Sequence, residues 1–256
     1  MTDPTPLRSK VLLAAGFSHG FFTRVGGCSD SNYATLNCSY SVGDDAARVT
    51  ANLARIASSL NIRPEQLVSV SQVHGATVEV FNENDDVSSF RGRQADALLS
   101  RSSNHGLAVR TADCLPILVG CEKTGIAAAI HAGWRGIVAG VIGRTIETLL
   151  AQGCRRESLV ACVGPHIGPS AFEVSEEVAM TLQATCPDAP ALHHVSGANP
   201  HVALGVLAVA QLAQSGLRKT AIEDLGLCTY TNNEAFFSYR RDGAASGRQL
   251  SVIRPH

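Results

Sequence analysis

The sequence predicts a single α/β domain, and three observations support that. Aliphatic residues dominate a 45% hydrophobic composition in which aromatics supply only 5%, as suits sheets covered by helices. Short apolar strand-like runs alternate with segments of helical spacing. No internal repeat, low-complexity tract or long linker divides the 256 residues, a length that fits one large domain.

The elements follow in order. Residues 1–10 read as a loose tail. Residues 20–24 of HGFFTRVGG read as a strand ending in a glycine turn at Gly26 and Gly27. An acidic start and apolar positions at Val49, Leu53, Ile56 and Leu60 give a helix over 44–60. Strands are expected at 67–71 and 77–81, flanking the VHGA bend, then at 95–100 and 106–110. The clearest pair is 115–121 with 126–131. Helical spacing covers 137–151, although Gly140 and Gly143 weaken it. A strand at 159–163 runs into GPHIG. A helix over 174–185, a Pro- and Ala-rich loop over 186–200, and a helix over 202–215 capped by Gly216 come next. Strands at 220–223 and 250–253 complete the chain, with a basic, glycine-containing loop between them.

Lysine and arginine number 21 against 22 acidic residues, a formal charge of −1, so nothing attracts nucleic acid or an acidic membrane surface in bulk. No apolar run approaches the roughly 20 residues that cross a bilayer. MTDPTPLRSK lacks the basic-then-apolar order of a secretory signal, and a cytoplasmic protein is expected. The eight cysteines are scattered and form no CxxC, which excludes a zinc ribbon or thioredoxin-type motif. Oligomeric state is not legible.

Chemistry concentrates between Ser71 and Gly136, in SQVHG, TADCLP and HAGWRG. His74, Cys114 and His131 read either as three metal ligands or, for the last two, as a nucleophile and its base. If EKTG is the turn of the 115–121/126–131 hairpin, paired residue numbers sum to 247, from Cys121 with Ile126. Cys114 then lies opposite Gly133, two residues beyond His131 and on the same face. Diagonal neighbours of this kind are about 7–8 Å apart, close enough for inward side chains to meet. Pro116 favours an edge strand or a bulge. The glycines of HAGWRG admit close approach of a ligand, and the helix start with Arg135 suits an oxyanion.

Each residue also has a plainer reading. His131 alone is a strand-end histidine bonded to backbone, and Cys114 alone an inert thiol. Asp113 caps a turn, orients a ligating histidine or moves a proton. Arg24, Arg240 and Arg248 read first as solvated surface, Trp134 as core packing, and His166 as a structural turn residue.

HGFFTRVGG, Leu36–Asn37, SQVHG, ADALLS, TADCLP, HAGWRG, GPHIG and FFSYRRD…GR occur in one order. From about Phe17 onward the chain thereby resembles the YfiH/YlmD family, the laccase-domain or polyphenol-oxidase-like proteins regarded as purine nucleoside phosphorylases. The resemblance implies a single-domain mixed-sheet α/β fold, similar to cysteine-hydrolase-like toxins with a Cys–His pair. It implies zinc on His74, Cys114 and His131, with copper as the alternative metal, since histidine and thiolate bind it well. It also implies phosphorolysis of adenosine, inosine and S-methyl-5′-thioadenosine, plus adenosine deamination. Cys114, His131 and Asp113 are the expected catalytic residues. Arg24, Asn37, Gln72, Arg135 and Arg240 are expected to bind purine nucleosides and phosphate. Copper-dependent phenol oxidation and Cys–His amide hydrolysis are the competing activities. One stretch departs from the family: HVALGVLAVAQL carries Ala203 and Ala208 where Asp and Asn are expected.

Overall fold

The computed structural model describes residues 3–194 and 196–256. Its strands are β1 (His19–Phe21), β2 (Leu67–Val68), β3 (Val78–Phe81), β4 (Ala97–Ser100), β5 (Gly106–Thr111), β6 (Leu115–Cys121), β7 (Ala127–Ala132), β8 (Leu159–Val163), β9 (Leu192–His193), β10 (His201–Val202), β11 (Ile222–Asp224) and β12 (Gln249–Ile253). They form a four-stranded sheet, β1-β12-β5-β2, and a six-stranded sheet, β11-β8-β6-β7-β4-β3; β9 and β10 make a small separate pair. Both large sheets are mixed: β2–β5, β3–β4 and β8–β11 are parallel, and the other pairs antiparallel.

Period-two alternation stacks the two sheets and covers their outer faces. Leu118 of β6 and Ala127 and Ala129 of β7 pack against Leu107 and Val109 of β5 between the sheets. Their neighbours Ile117, Val119, Ala128 and Ile130 face outward beneath α5 (Val141–Ala151), α6 (Glu176–Ala184) and α7 (Leu204–Gln214). On the far side, Ala108, Leu250 and Val252 lie under α2 (Ala46–Ser59) through Ile56 and Leu53. Four layers result, α/β/β/α. Among the described residues no helix is long and apolar enough to cross a membrane.

Several expectations are corrected. Residues 3–9 are not loose. Leu7 exchanges both backbone bonds with Phe21, and buried Ser9 caps the short helix α1 (Lys10–Ala14). The helix expected over 137–151 is two, α4 (Trp134–Val138) and α5, because Gly140 turns left-handed at φ +80° between them. The 186–200 loop contains β9, and the basic carboxy-terminal loop contains α8 (Tyr239–Asp242). Pro116 sits in a central strand, not at an edge. It costs little there: Gly164 donates to the Pro116 carbonyl at 2.8 Å, and the Gly164 carbonyl, which a proline cannot serve, is met by the His166 ring at 2.9 Å.

Candidate metal centre and active-site cavity

The β6–β7 register is the one expected: Leu115 pairs with Ala132 and Pro116 with His131, each summing to 247. Cys114 therefore faces Gly133. A Cβ there would lie 3.1 Å from Cys114 Sγ and 2.8 Å from His74 Cδ2, so the glycine leaves the space into which two side chains converge. His74 arrives from the loop between β2 and β3, with left-handed backbone at φ +60°. One nitrogen from each histidine and the Cys114 sulfur all lie within 4.8 Å of one another, with Cys114 Sγ 3.8 Å from His74 Nε2. That spacing lets the three atoms share one metal ion after small side-chain adjustments.

Asp96, the residue before β4, organises this trio. Its carboxylate accepts from the amides of Val73, His74 and Gly75 at 3.3, 2.9 and 2.6 Å, and from His131 Nδ1 at 2.8 Å. Its carbonyl also accepts the His131 amide at 2.7 Å. One fully buried side chain thus fixes the backbone of one histidine and the ring of the other. With Nδ1 donating to Asp96, His131 presents Nε2 as the ligand atom. Sequence reading assigned Asp96 no role; the available signal was a carboxylate directly before the mostly apolar run Ala-Leu-Leu that opens a buried strand.

Electrostatics follow from this packing. Enclosure opposes the charged forms of Cys114 and His131, but their mutual attraction and hydrogen bonding prevail. The Cys114 thiol drops to about 6 and His131, helped by Asp96, rises to about 9. Burial likewise opposes ionisation of Asp96, yet His131 and the Gly75 amide hold it below the ordinary carboxylate value.

The trio lies in the wall of a cavity of about 1240 Å³, above the usual range for a small-molecule cleft. Gln72, Asp113, Arg135 and Arg240 line it, whereas Arg24 and Asn37 do not. Arg24 Nε and an Nη hold the Ala34 and Asn233 carbonyls, and its guanidinium lies 4.6 Å from the Phe237 ring centre. Fully buried Asn37 ties Ser39 and Asp44 to the Arg248 amide. Both stabilise loops behind the cavity. Gln72 reaches it, but its amide bonds both ways to the Arg110 backbone at 2.7 and 2.8 Å, continuing the sheet past β2.

Asp113, with φ +90°, is an anchor. Its carboxylate accepts from Thr229 Oγ1 at 2.6 Å, Ser238 Oγ at 3.0 Å and the Arg240 amide at 2.6 Å. One donor on Oδ1 and two on Oδ2 tie this carboxylate to the 229–240 segment and so position it. Arg240 in turn donates to the Ala171 and Glu173 carbonyls beside Phe172, and Arg135 stacks on Trp134 at 4.6 Å. Ala203 and Ala208 are buried in the helical core layer and do not line the cavity.

Gly133→Ala tests the convergence directly. Gly133 has φ −74°, which alanine adopts freely, so the fold is expected to survive. The added methyl must displace His74 or Cys114, and metal affinity is expected to fall about tenfold or more, read by competition with a chelating dye. Unchanged affinity would show that the two side chains need no such space.

Fold and ligand set define an α/β protein with a His–Cys–His centre, competent to hold a metal, in the wall of a deep cavity. The family described as multi-copper polyphenol oxidoreductase laccase matches residues 18–256. A purine nucleoside phosphorylase of Bacteroides thetaiotaomicron is 36% identical over 250 residues, covering 94% of this chain and 93% of that one. Purine nucleoside phosphorylase YfiH of Escherichia coli is 38% identical over 232 residues, covering 90% of each. The crystal structure of YlmD from Geobacillus stearothermophilus superposes with a TM-score of 0.91 at 28% identity, over 99% of this chain and 96% of that one. The chain belongs to this YfiH/YlmD family of laccase-domain proteins.

Proposed function

We propose that this chain is a zinc-dependent purine nucleoside phosphorylase acting on adenosine, inosine and S-methyl-5′-thioadenosine, with adenosine deaminase activity. The observation that carries this reading is the convergence of His74, Cys114 and His131 on a cavity roomy enough for a nucleoside, in a chain whose relatives bear the phosphorylase name. Two histidines and one thiolate suit zinc, which supplies Lewis acidity when bound and keeps a position open. Trp134, Phe172 and Tyr239 offer apolar faces to a purine. Arg135 and Arg240 offer guanidinium donors to phosphate. In phosphorolysis a phosphate oxygen bonds to C1′ as the C1′–N9 bond breaks, and the purine leaves with the bonding pair and takes a proton.

The test is product analysis. Adenosine incubated with the purified protein is expected to yield adenine and ribose 1-phosphate only when phosphate is present, and inosine with ammonia when it is absent. Phosphorolysis no greater than that of Cys114→Ser overturns the phosphorylase reading. Copper-dependent phenol oxidation is the reading the family description favours, but the described residues bring together a single ligand trio. Cys–His hydrolysis, the chemistry of the cysteine-hydrolase comparison, gains support from the Asp96–His131 bond beside a thiol of lowered pKa. Metal analysis of protein purified without added metal separates the three. Near-stoichiometric zinc that protects Cys114 from alkylation supports the first, copper the second, and a metal-free reactive thiol the third.

A further inference from the structure

The His–Cys–His centre occupies one part of the cavity. Another part lies on the four-stranded sheet, where strand alternation brings Ala108 and Arg110 of β5, Leu250 of β12 and Leu67 of β2 to one face. The rest of that face is apolar and covered by α2. Arg110 is the exception, a guanidinium in a row where an apolar side chain would pack without penalty. It spends two of its five donors on Ser69 Oγ at 3.4 Å and the Val70 carbonyl at 3.2 Å. No carboxylate forms an ion pair with it among the described residues; Arg91, which lines the same cavity from the end of α3 (Val87–Phe90), likewise forms none, although its charge acts at longer range on Asp86. Burial is the main influence lowering the Arg110 pKa, and the nearby Arg91 lowers it further.

An enclosed guanidinium stays charged at any pH the protein meets, and without a counter-charge it is costly to bury. An anion arriving in the cavity removes that penalty. We propose that Arg110 and Arg91 form an anion subsite, separate from the His74–Cys114–His131 centre, that receives a phosphoryl group. The planar fork of Arg110 suits two phosphoryl oxygens at once. Arg110 precedes Cys114 by four residues, at most about 13 Å of extended chain, and both line the same cavity, so subsite and centre share one space open to a ligand. The phosphoryl group comes either from free phosphate or from the 5′-phosphate of a nucleotide. Only the identity of what accompanies it rests on the nucleoside-cleaving reading.

Calorimetric titration tests the subsite without turnover. The wild-type protein, Arg110→Met and Arg91→Gln are titrated with inorganic phosphate, with adenosine 5′-monophosphate and with adenosine, each alone. Arg110→Met is expected to weaken one or both phosphoryl ligands about tenfold and to leave adenosine unchanged; Arg91→Gln is expected to weaken them about fivefold. Loss confined to phosphate identifies a co-substrate site, and loss of the advantage of the monophosphate over adenosine identifies a nucleotide site. Phosphoryl affinities within threefold of wild type in Arg110→Met overturn the proposal. Should that variant not fold, the same result in Arg91→Gln, an exposed position, overturns it. A protein that never cleaves adenosine still reports phosphate binding, so failure of the phosphorylase reading and failure of the subsite are separate outcomes.

Discussion

Cys114→Ser is expected to weaken metal binding by about two to four orders of magnitude and to abolish the activity that depends on it. A protein zinc site is worth about 10–16 kcal/mol, so one of three ligands accounts for roughly 3–5 kcal/mol, at about 1.4 kcal/mol per factor of ten. Serine cannot replace that share, because its hydroxyl stays protonated where the Cys114 thiol ionises at about 6. The substitution is nearly isosteric, and Asp113, the preceding residue, still accepts from Thr229, Ser238 and Arg240, so the fold is expected to persist. Chelator competition, product analysis with adenosine and phosphate, and a thermal melt check the three parts. Wild-type metal affinity in the serine variant would exclude Cys114 from the centre.

Asp96→Asn is expected to have the next largest effect, on stability as well as on the metal. Asparagine keeps one acceptor but turns an amide towards donors from Val73, His74, Gly75 or His131. Breaking a buried charge interaction on one side costs about 3–5 kcal/mol, and loss of a partner that orients a ligand weakens metal binding about 10- to 100-fold. The pH dependence has a defined sign in metal-free protein. The Asp96 pKa is lowered on folding, so its contribution is present above the ordinary value of 3.8 and lost as pH falls through the folded value. The His131 pKa is raised on folding, so its contribution is full below 6.5 and lost as pH rises through about 9. The gap in unfolding free energy between wild type and Asp96→Asn is therefore expected to be widest near pH 5–6.5 and to narrow on both sides. A gap that does not vary with pH would contradict the Asp96–His131 ion pair.

What was legible depended on whether the interaction was local. The β6–β7 register could be read because EKTG fixes the turn and one residue of slip would reverse every side chain. Helix α2 was legible from its apolar spacing and from Asp45, whose side chain accepts the Ala47 and Arg48 amides. The break at Gly140 was visible only as a weakness, since glycine signals conformational freedom without saying whether the fold uses it. That Arg24 and Asn37 lie outside the cavity lining was not legible, because a side chain that supports a loop and one that binds a ligand look alike in a motif. Arg110 was missed for a related reason. A lone arginine in a strand reads as solvent-facing until the second layer, α2, covers that face.

The sequence alone determined the α/β character, the pairing of Cys114 with the Gly133 side of the hairpin, and the identity of three residues able to share a metal. These rest on composition, on strand alternation and on one tight turn, all set within short stretches of chain. Only the tertiary structure decided that His74 meets the other two, because that contact passes through Asp96, 22 residues away from His74 and 35 from His131. It likewise decided that Asp113 binds Thr229, Ser238 and Arg240, and that Arg110 lines the cavity with no ion-paired carboxylate among the described residues. Such long-range contacts depend on how two sheets stack, and stacking is fixed by the sum of many weak apolar contacts that no single motif records.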